Sequence, residues 1–536
     1  MASCGEALVK LLEGYGVDTV FGIPGNHTVQ LYRGLADSSI RHVSPRHEQG
    51  AAFMADGYAR ASGRVGVCFL ISGPGLTNAA TGMMQALADS IPMLVITAVA
   101  ARRDLGMGEG HLHELPDQRA LASQCARFSH TLMDPRDLPR VLARAFAVFS
   151  GERPGPVHIE LPLDVITANA DEVDTSPWPQ PSAPGPDLAA VAAAAELLAA
   201  ARQPVIMLGG GAVAAGAEAL ALAEVLDAPV CNTVNAKGVI PASHPLAVGS
   251  SPSLAPVRDA LAAADVVLAV GTEWAETDYD MLFLGDIERQ GKLVRVDIDA
   301  AQLARNQRPA LAIASDAALF MAALAAKLAP AERGGAMRAA AVREAVRQQA
   351  HFHTEMQAFF DCLQAALPDL LLVGDSTLPT YYAVWQYECE APRRYFHSAT
   401  GGGTLGFAIP ASFGARLACA ELPVAALIGD GSTQFTLAEL AAGVEAGLPV
   451  AVLVWNNRGY SEIKQGMVAS KIEPVGVDIF TPDLVAAAAA LGCHTARPRD
   501  FDQLADSLQQ AVRQDRPTVI ELRQEDFITQ PAGNWY

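Results

Sequence analysis

Three oxygen donors follow two apolar runs in this 536-residue chain: the Asp430 carboxylate, the Asn457 side-chain carbonyl and the Gly459 backbone carbonyl. Hard oxygens gathered on one side suit magnesium, which takes an octahedron of oxygens and draws the rest from phosphates and water. Gly429 and Gly431 flank Asp430 and let a diphosphate approach the backbone. Ser432 and Thr433 follow, where the sequence reads as the opening of a helix whose free N–H groups favour an anion. A bare G-D-G is more often an ordinary turn, so the elements around it decide its meaning.

Those elements form one regular unit. An apolar run at 424–428 leads into Gly429-Asp430-Gly431, and a second at 450–455 leads into Asn456-Asn457. Residues 435–448 carry apolar side chains at helical spacing, so the unit predicts strand, helix and parallel strand. Both polar clusters then fall at the carboxyl ends of neighbouring strands, where open α/β sheets bind ligands.

The same alternation fills the rest of the chain. Apolar strands at 18–24, 40–45, 66–72 and 92–98 alternate with helical patterns, which implies a parallel sheet covered on both faces. Residues 177–186 hold five prolines in ten positions and read as an extended linker. A second α/β pattern has strands at 205–208, 265–272 and 293–299. Its Gly209-Gly210-Gly211 has G-x-G-x-x-A spacing with no acid at the expected distance, which favours a structural turn over a dinucleotide site. Residues 330–338 read as a second linker, and the tail 530–536 has no clear pattern. The expectation is an α/β protein of three doubly wound domains with mainly parallel sheets, at 1–170, 188–328 and 345–530.

Composition narrows the function classes. The chain is 51% hydrophobic and 18% charged, with a net charge of −20 and no basic stripe, which argues against nucleic acid as a partner. No apolar run reaches membrane-spanning length. The eight cysteines are scattered without a C-x-x-C pair and read as buried free thiols. Glu6 and Lys10 near the start, with no basic region before an apolar core, give a cytoplasmic expectation.

A second candidate is Glu48 in R-H-E-Q-G-A-A-F-M-A-D-G-Y-A-R, just past the strand at 40–45, where a carboxylate could face a cleft. The position equally suits an acid that only favours a helix N-terminus. With both groups in view, the chain resembles the thiamine-diphosphate enzymes of the acetolactate synthase, pyruvate decarboxylase and benzoylformate decarboxylase superfamily. The likeness spans essentially the full length: F-G-I-P-G, R-H-E-Q-G-A, G-P-G-L-T-N, G-T-L-G-F and G-D-G-S with N-N occur in the family's order. It implies a thiamine-diphosphate-binding fold with Glu48 on the cofactor's aminopyrimidine ring. Gly403 and Leu405 would offer backbone groups to that ring, and the Leu405 side chain would hold the cofactor bent. Ser376, Thr377, Gly431, Ser432 and Thr433 would lie near the diphosphate, and Asp430, Asn457 and Gly459 on magnesium. It also implies an active site shared between subunits of a homodimer, usually within a homotetramer.

Members of this superfamily attack a carbonyl, usually of a 2-oxo acid, and then diverge by protonation, carboligation or oxidation. Asn26 and His27 stand where other members carry a substrate-facing side chain, and His113 where acetolactate synthases carry a glutamine. A histidine near neutral pKa could relay the proton that ends a simple decarboxylation; His111 and His113 could also be ordinary loop histidines. The segment after Asn457 lacks the tryptophan of acetolactate synthases, and Ile463 stands where pyruvate decarboxylases place a glutamate. Glu462, one position earlier, either reaches the cleft or is solvated.

A closer likeness is to the decarboxylases of 5-guanidino-2-oxopentanoate (2-ketoarginine), through H-T-x-x-L-Y-R-G-L (27–35), L-H-E (112–114), D-Q-R-A (117–120) and I-E-P-V-G-V (472–477). A guanidinium would want a carboxylate fork, and Glu462, Glu109 and Glu114 are equal candidates. The leading expectation is a thiamine-diphosphate- and magnesium-dependent, non-oxidative 2-oxo acid decarboxylase that releases an aldehyde. The alternatives are an acetolactate synthase-like carboligase, a flavin-dependent oxidase and a non-catalytic paralogue.

Overall fold

A computed structural model describes residues 1–249, 252–279, 286–349 and 352–529, so the tail at 530–536 lies outside the described residues. The chain folds around three six-stranded sheets. The first contains β1 (Thr19–Gly22), β2 (Arg41–Val43), β3 (Gly66–Leu70), β4 (Met93–Val99), β5 (Phe128–Thr131) and β6 (Pro156–Pro162), in the order β2-β1-β3-β4-β6-β5. The second contains β7 (Pro204–Leu208), β8 (Val230–Asn232), β9 (Ala247–Gly249), β10 (Val266–Val270), β11 (Lys292–Asp297) and β12 (Leu311–Ala314), in the order β12-β11-β10-β7-β8-β9. The third contains β13 (Leu371–Gly374), β14 (Tyr395–His397), β15 (Val424–Gly429), β16 (Ala451–Asn456), β17 (His494–Ala496) and β18 (Thr518–Arg523), in the order β14-β13-β15-β16-β18-β17. Neighbouring strands pair in parallel.

The strand orders explain where ligands can enter. In the first and third sheets the order reverses beside the first strand, between β1 and β3 and between β13 and β15. Ligands of open α/β sheets bind at such reversals, outside the carboxyl ends of the strands. β3, β4, β15 and β16 are buried along almost their whole length, which is why they read as unbroken apolar runs.

The first and third sheets share one apolar core. Helix Glu48–Ser62 packs on helix Ala408–Ala418, and Phe53, Phe407, Phe413 and Leu440 lie in the same cluster. The approach is so close that a Cβ on Gly57 would overlap the Ala411 carbonyl, and one on Gly414 the Met54 carbonyl. Those two contacts also fix the helices as antiparallel. The central sheet keeps its own clusters, which include Leu208, Leu268 and Phe320 on one side and Met207, Val267 and Trp274 on the other.

Two expectations about elements change. Residues 335–338 are not linker: helix Gly335–Arg347 runs across the boundary placed at 345. Asp227 accepts the Gly335 N–H, and Arg338 donates to the Pro204 carbonyl, so the helix is tied to the central sheet. The segment 435–448 is not one helix either. Helix Asp430–Thr436 starts at Asp430, and Glu439–Glu445 follows after a break. Tertiary bonds set that break: the Thr436 hydroxyl donates to the Gly406 carbonyl, and Glu439 reaches across to the backbone of Arg46 and His47.

Candidate active site

The oxygen donors converge. β15 and β16 are neighbours with Gly429 paired to Trp455, so the chain leaves both strands side by side at Asp430 and Asn457. Arg458 then adopts a left-handed conformation at φ +63° and Gly459 sits at φ +147°, which turns the Gly459 carbonyl back toward the strands. The Asn457 carbonyl oxygen lies 3.3 Å from Asp430 Oδ1 and 3.0 Å from the Gly459 oxygen. Adjacent oxygens of an octahedron around magnesium, with bonds of about 2.1 Å, are separated by about 3 Å. Three oxygens facing one another repel unless a cation lies between them; with the amide turned over, its N–H₂ would donate to the other two instead. The donor set therefore fits magnesium. One donor is an amide and another a backbone carbonyl, which is why no cluster of three His, Cys, Asp or Glu marks a metal site among the described residues.

Asp430 is buried, which raises its carboxyl, while the Thr481 hydroxyl donating to Oδ2 at 2.7 Å opposes that shift. Gly431 faces the Tyr460 ring at a distance that leaves no room for a Cβ. The Thr433 hydroxyl donates to the Gly429 carbonyl at 2.8 Å, and the free N–H groups of helix Asp430–Thr436 are those of its first turn, Gly431 and Ser432 among them. Ser376 Oγ lies 3.4 Å from Ser398 Oγ, and Thr377 precedes helix Leu378–Gln386.

Between Ser376 and the glycine-rich loop lies Asp375, which sequence reasoning passed over although it stands in G-D-S-T beside two chosen residues. It is fully buried and accepts N–H groups from Ser376, Gly406 and Ala408 at 2.9, 3.3 and 3.0 Å. Burial pushes its carboxyl up to about 6 against those donors. Asp375 thus ties the end of β13 to the loop that carries Gly403 and Leu405. Gly403 holds φ +64° with open space where a Cβ would point, so the conformation rather than crowding requires glycine there. Leu405 is half-buried, and Thr404 beside it donates its hydroxyl to Gln85 at 2.8 Å.

Glu48 opens helix Glu48–Ser62 and is 9% exposed, and Asn78 Nδ2 donates to its Oε2 at 2.9 Å. The Arg46 and His47 N–H groups ahead of it donate to the Glu439 carboxylate at 3.0 and 2.9 Å. Burial pushes Glu439 up to about 7 despite those donors.

His27 and His113 meet as well, with ring centroids 5.2 Å apart. His27 Nδ1 lies 2.6 Å from the Ser72 hydroxyl; burial lowers its pKa, and His113 adds to the effect. His113 is held at φ +62°, and its Nδ1 is buried with no hydrogen-bond partner. Gln118 supports this corner: its Oε1 accepts the Gly73 N–H at 2.7 Å, and its Nε2 donates to Thr97, Ala98 and Glu160. Asn26 is exposed beside His27. His111 does not join the pair; its ring lies 3.8 Å from Asp104 and 3.9 Å from Glu109. Glu462 is on helix Ser461–Ala469, with Oε2 buried and without a hydrogen-bond partner, and burial pushes its carboxyl up to about 7.

Antiparallel packing puts Ala408 near the far end of helix Glu48–Ser62. At about 1.5 Å per residue, Ala408 is then roughly 18 Å along that helix from Glu48, while Thr404 bonds Gln85, roughly 10 Å along helix Pro74–Ala88 from the Asn78 that bonds Glu48.

Comparison with known proteins gives the family. Models of the thiamine pyrophosphate enzymes match in sequence: the N-terminal TPP binding domain at residues 2–121, the central domain at 191–324 and the C-terminal TPP binding domain at 375–522. The chain belongs to the thiamine pyrophosphate enzymes. Among its relatives, a Pseudomonas aeruginosa protein named "Probable 2-ketoarginine decarboxylase" is 45% identical over 97% of this chain and 94% of its own. The acetolactate synthase isozyme 1 large subunit of Escherichia coli is 30% identical over 97% and 93%. The "Probable acetolactate synthase large subunit" of Methanocaldococcus jannaschii is 30% identical over 98% and 92%.

Proposed function

We propose that this enzyme, with thiamine diphosphate and magnesium, decarboxylates a 2-oxo acid without oxidation, and that its substrate is 5-guanidino-2-oxopentanoate. Residues 345–530 would hold the diphosphate and metal, with Asp430, Asn457 and the Gly459 carbonyl on magnesium. The backbone around Gly431, Ser432 and Thr433, with Ser376 and Thr377, would meet the diphosphate. Gly403 and Leu405 would present backbone groups to the aminopyrimidine, and the Leu405 side chain would hold the cofactor's bend. Glu48, from the domain at 1–170, would hold or give a proton at the pyrimidine nitrogen, supported by Asn78. The family pattern puts Glu48 and the metal donors on different subunits, so a second copy would complete the site. The assembly is then a homodimer at least, and the family pattern supports a homotetramer. No helix among the described residues is long and apolar enough to cross a membrane, which accords with a cytoplasmic enzyme.

The cofactor, when bound, supplies the carbon nucleophile and the electron sink for loss of carbon dioxide. The protein's part is to orient the acid, exclude competing water and deliver the final proton. The His27–His113 pair carries the choice of decarboxylation over carboligation. Two imidazoles at 5.2 Å, one with its pKa lowered by burial and one with a buried, unpartnered nitrogen, would supply a proton relay. Asn26 lies beside them at the substrate side. The 45% relative supports the guanidino substrate.

The test is carbon dioxide release from pyruvate, branched, aromatic and guanidino 2-oxo acids, with aldehyde and hydroxyketone assayed together. Free aldehyde from the guanidino acid is expected. A hydroxyketone as the main product would replace this reading with the acetolactate synthase-like carboligase.

A further inference from the structure

Glu109, Glu114 and Glu462 offered equal claims to a cationic substrate end, and the structure separates them. Glu114 has no free carboxylate fork. It accepts N–H groups from Gly108, Gly110 and His111 at 2.8, 2.8 and 3.0 Å, chiefly that of Gly108, and these hold its carboxyl below the usual range. The Glu109 side chain is 62% exposed, with the His111 ring 3.9 Å away. A carboxylate in that position stays hydrated and discriminates weakly.

Glu462 differs in kind. Its Oε2 is buried and has no hydrogen-bond partner. A buried carboxylate without a partner costs several kcal/mol unless a proton or a cation neutralises it. The nearby cations are committed elsewhere: Lys464 bonds Asp478 at 2.7 Å, and Arg458 reaches Glu525 at 3.4 Å. The site nevertheless adjoins the chemistry. Helix Ser461–Ala469 begins just past Gly459, so the Glu462 α-carbon lies within about 10 Å of that of Gly459 even along an extended chain. Substrate bound at a cofactor anchored there would project its side chain into this neighbourhood.

We infer that Glu462 is the specificity residue for the substrate's cationic end, its carboxylate receiving the guanidinium beyond the three methylenes of 5-guanidino-2-oxopentanoate. The inference rests on the substrate reading proposed above. A guanidinium matches a carboxylate fork through paired N–H donors and keeps its charge on burial, so it satisfies the orphaned oxygen at no protonation cost. A neutral chain of equal length would leave Glu462 Oε2 buried and unpaired, which is the stronger source of discrimination.

The experiment compares wild type, Glu462→Gln and Glu462→Asp as holoenzymes with thiamine diphosphate and magnesium. The substrates are 5-guanidino-2-oxopentanoate and its neutral 5-ureido analogue. Wild type is expected to favour the guanidino acid. Glu462→Gln should lower kcat/KM for that acid by roughly 10²-fold, mainly through KM, while the ureido acid changes less than about threefold. Glu462→Asp should keep the preference with a raised KM. Cofactor affinity, followed by tryptophan fluorescence, should be the same in all three. Equal losses on both substrates would make Glu462 a proton donor and overturn the inference, as would an unchanged preference in Glu462→Gln. Wild type that turns over other 2-oxo acids but not the guanidino acid would overturn the substrate reading itself, and the Glu462 assignment with it.

Discussion

Asn78 Nδ2 donates to Glu48 Oε2 at 2.9 Å, from helix Pro74–Ala88 to the first residue of helix Glu48–Ser62. The bond aims a nearly buried carboxylate without neutralising it, as a group that exchanges a proton requires. Glu48→Gln should therefore keep cofactor binding and lose activity by about 10²–10⁴-fold, the usual contribution of a placed acid–base group. Steady-state turnover and a thiamine diphosphate titration check this together; a fully active variant would remove Glu48 from the mechanism.

Asp430 should behave in the opposite way. Asp430→Ala removes one of three converging oxygens, so it should weaken thiamine diphosphate binding itself, and so should chelating magnesium from the wild type. Calorimetric titration of the cofactor reads both; unchanged affinity would contradict the metal assignment.

Asp375 should act on the same affinity from further away. Asp375→Ala leaves the Gly406 and Ala408 N–H groups unpaired and frees the loop that carries Gly403 and Leu405. A buried donor left unsatisfied costs about 1–3 kcal/mol. The expected result is a lower thermal midpoint and weaker cofactor binding, with the midpoint partly restored by saturating cofactor.

Glu439 gives a dependence of stability on pH. Burial holds its folded-state carboxyl at about 7, above the ordinary value of 4.5. A raised carboxyl leaves the folded state binding more protons between those values. Its contribution is therefore fully present below about pH 4.5 and lost as pH rises through about 7. Arg46, whose charge opposes the shift, and Glu48, whose charge adds to it, face it together with the His47 backbone. In Glu439→Gln the side-chain oxygen still accepts the two N–H groups, so thermal stability should fall less between pH 5 and pH 8 than in wild type. Equal slopes in scanning calorimetry would count against the raised carboxyl.

Gly57 tests the helix pair. A Cβ there overlaps backbone rather than a movable side chain, so Gly57→Ala should force the helices apart. A loss of at least about 1–3 kcal/mol is expected, the usual range for overpacking. Denaturant unfolding would measure it.

Local chemistry explains what was legible in advance. Buried parallel strands must be continuously apolar, so β3, β4, β15 and β16 announced themselves, and the turns after β15 and β16 had to lie at neighbouring strand ends. The glycine triplet at 209–211 follows β7 and opens a short helical turn at Gly210–Ala212. Gly209 and Gly211 pack on the backbone of Gly271 and Thr272 with no room for side chains.

The sequence alone was enough for the class of fold, and it put forward Glu48 and the proposed metal donors Asp430, Asn457 and Gly459, since each depends on residue type at short spacing. Only the tertiary structure decided the rest. It revealed Asp375, Gln118 and Glu439, whose partners lie far away in the chain. It paired His27 with His113 rather than His111, because a left-handed turn at His113 points one ring inward and leaves the other outside. It also ranked Glu462 above Glu109 and Glu114, which are alike as letters. A carboxylate's chemistry is set by what surrounds it: backbone N–H groups occupy Glu114, water surrounds Glu109, and Glu462 is left buried with an oxygen unpaired.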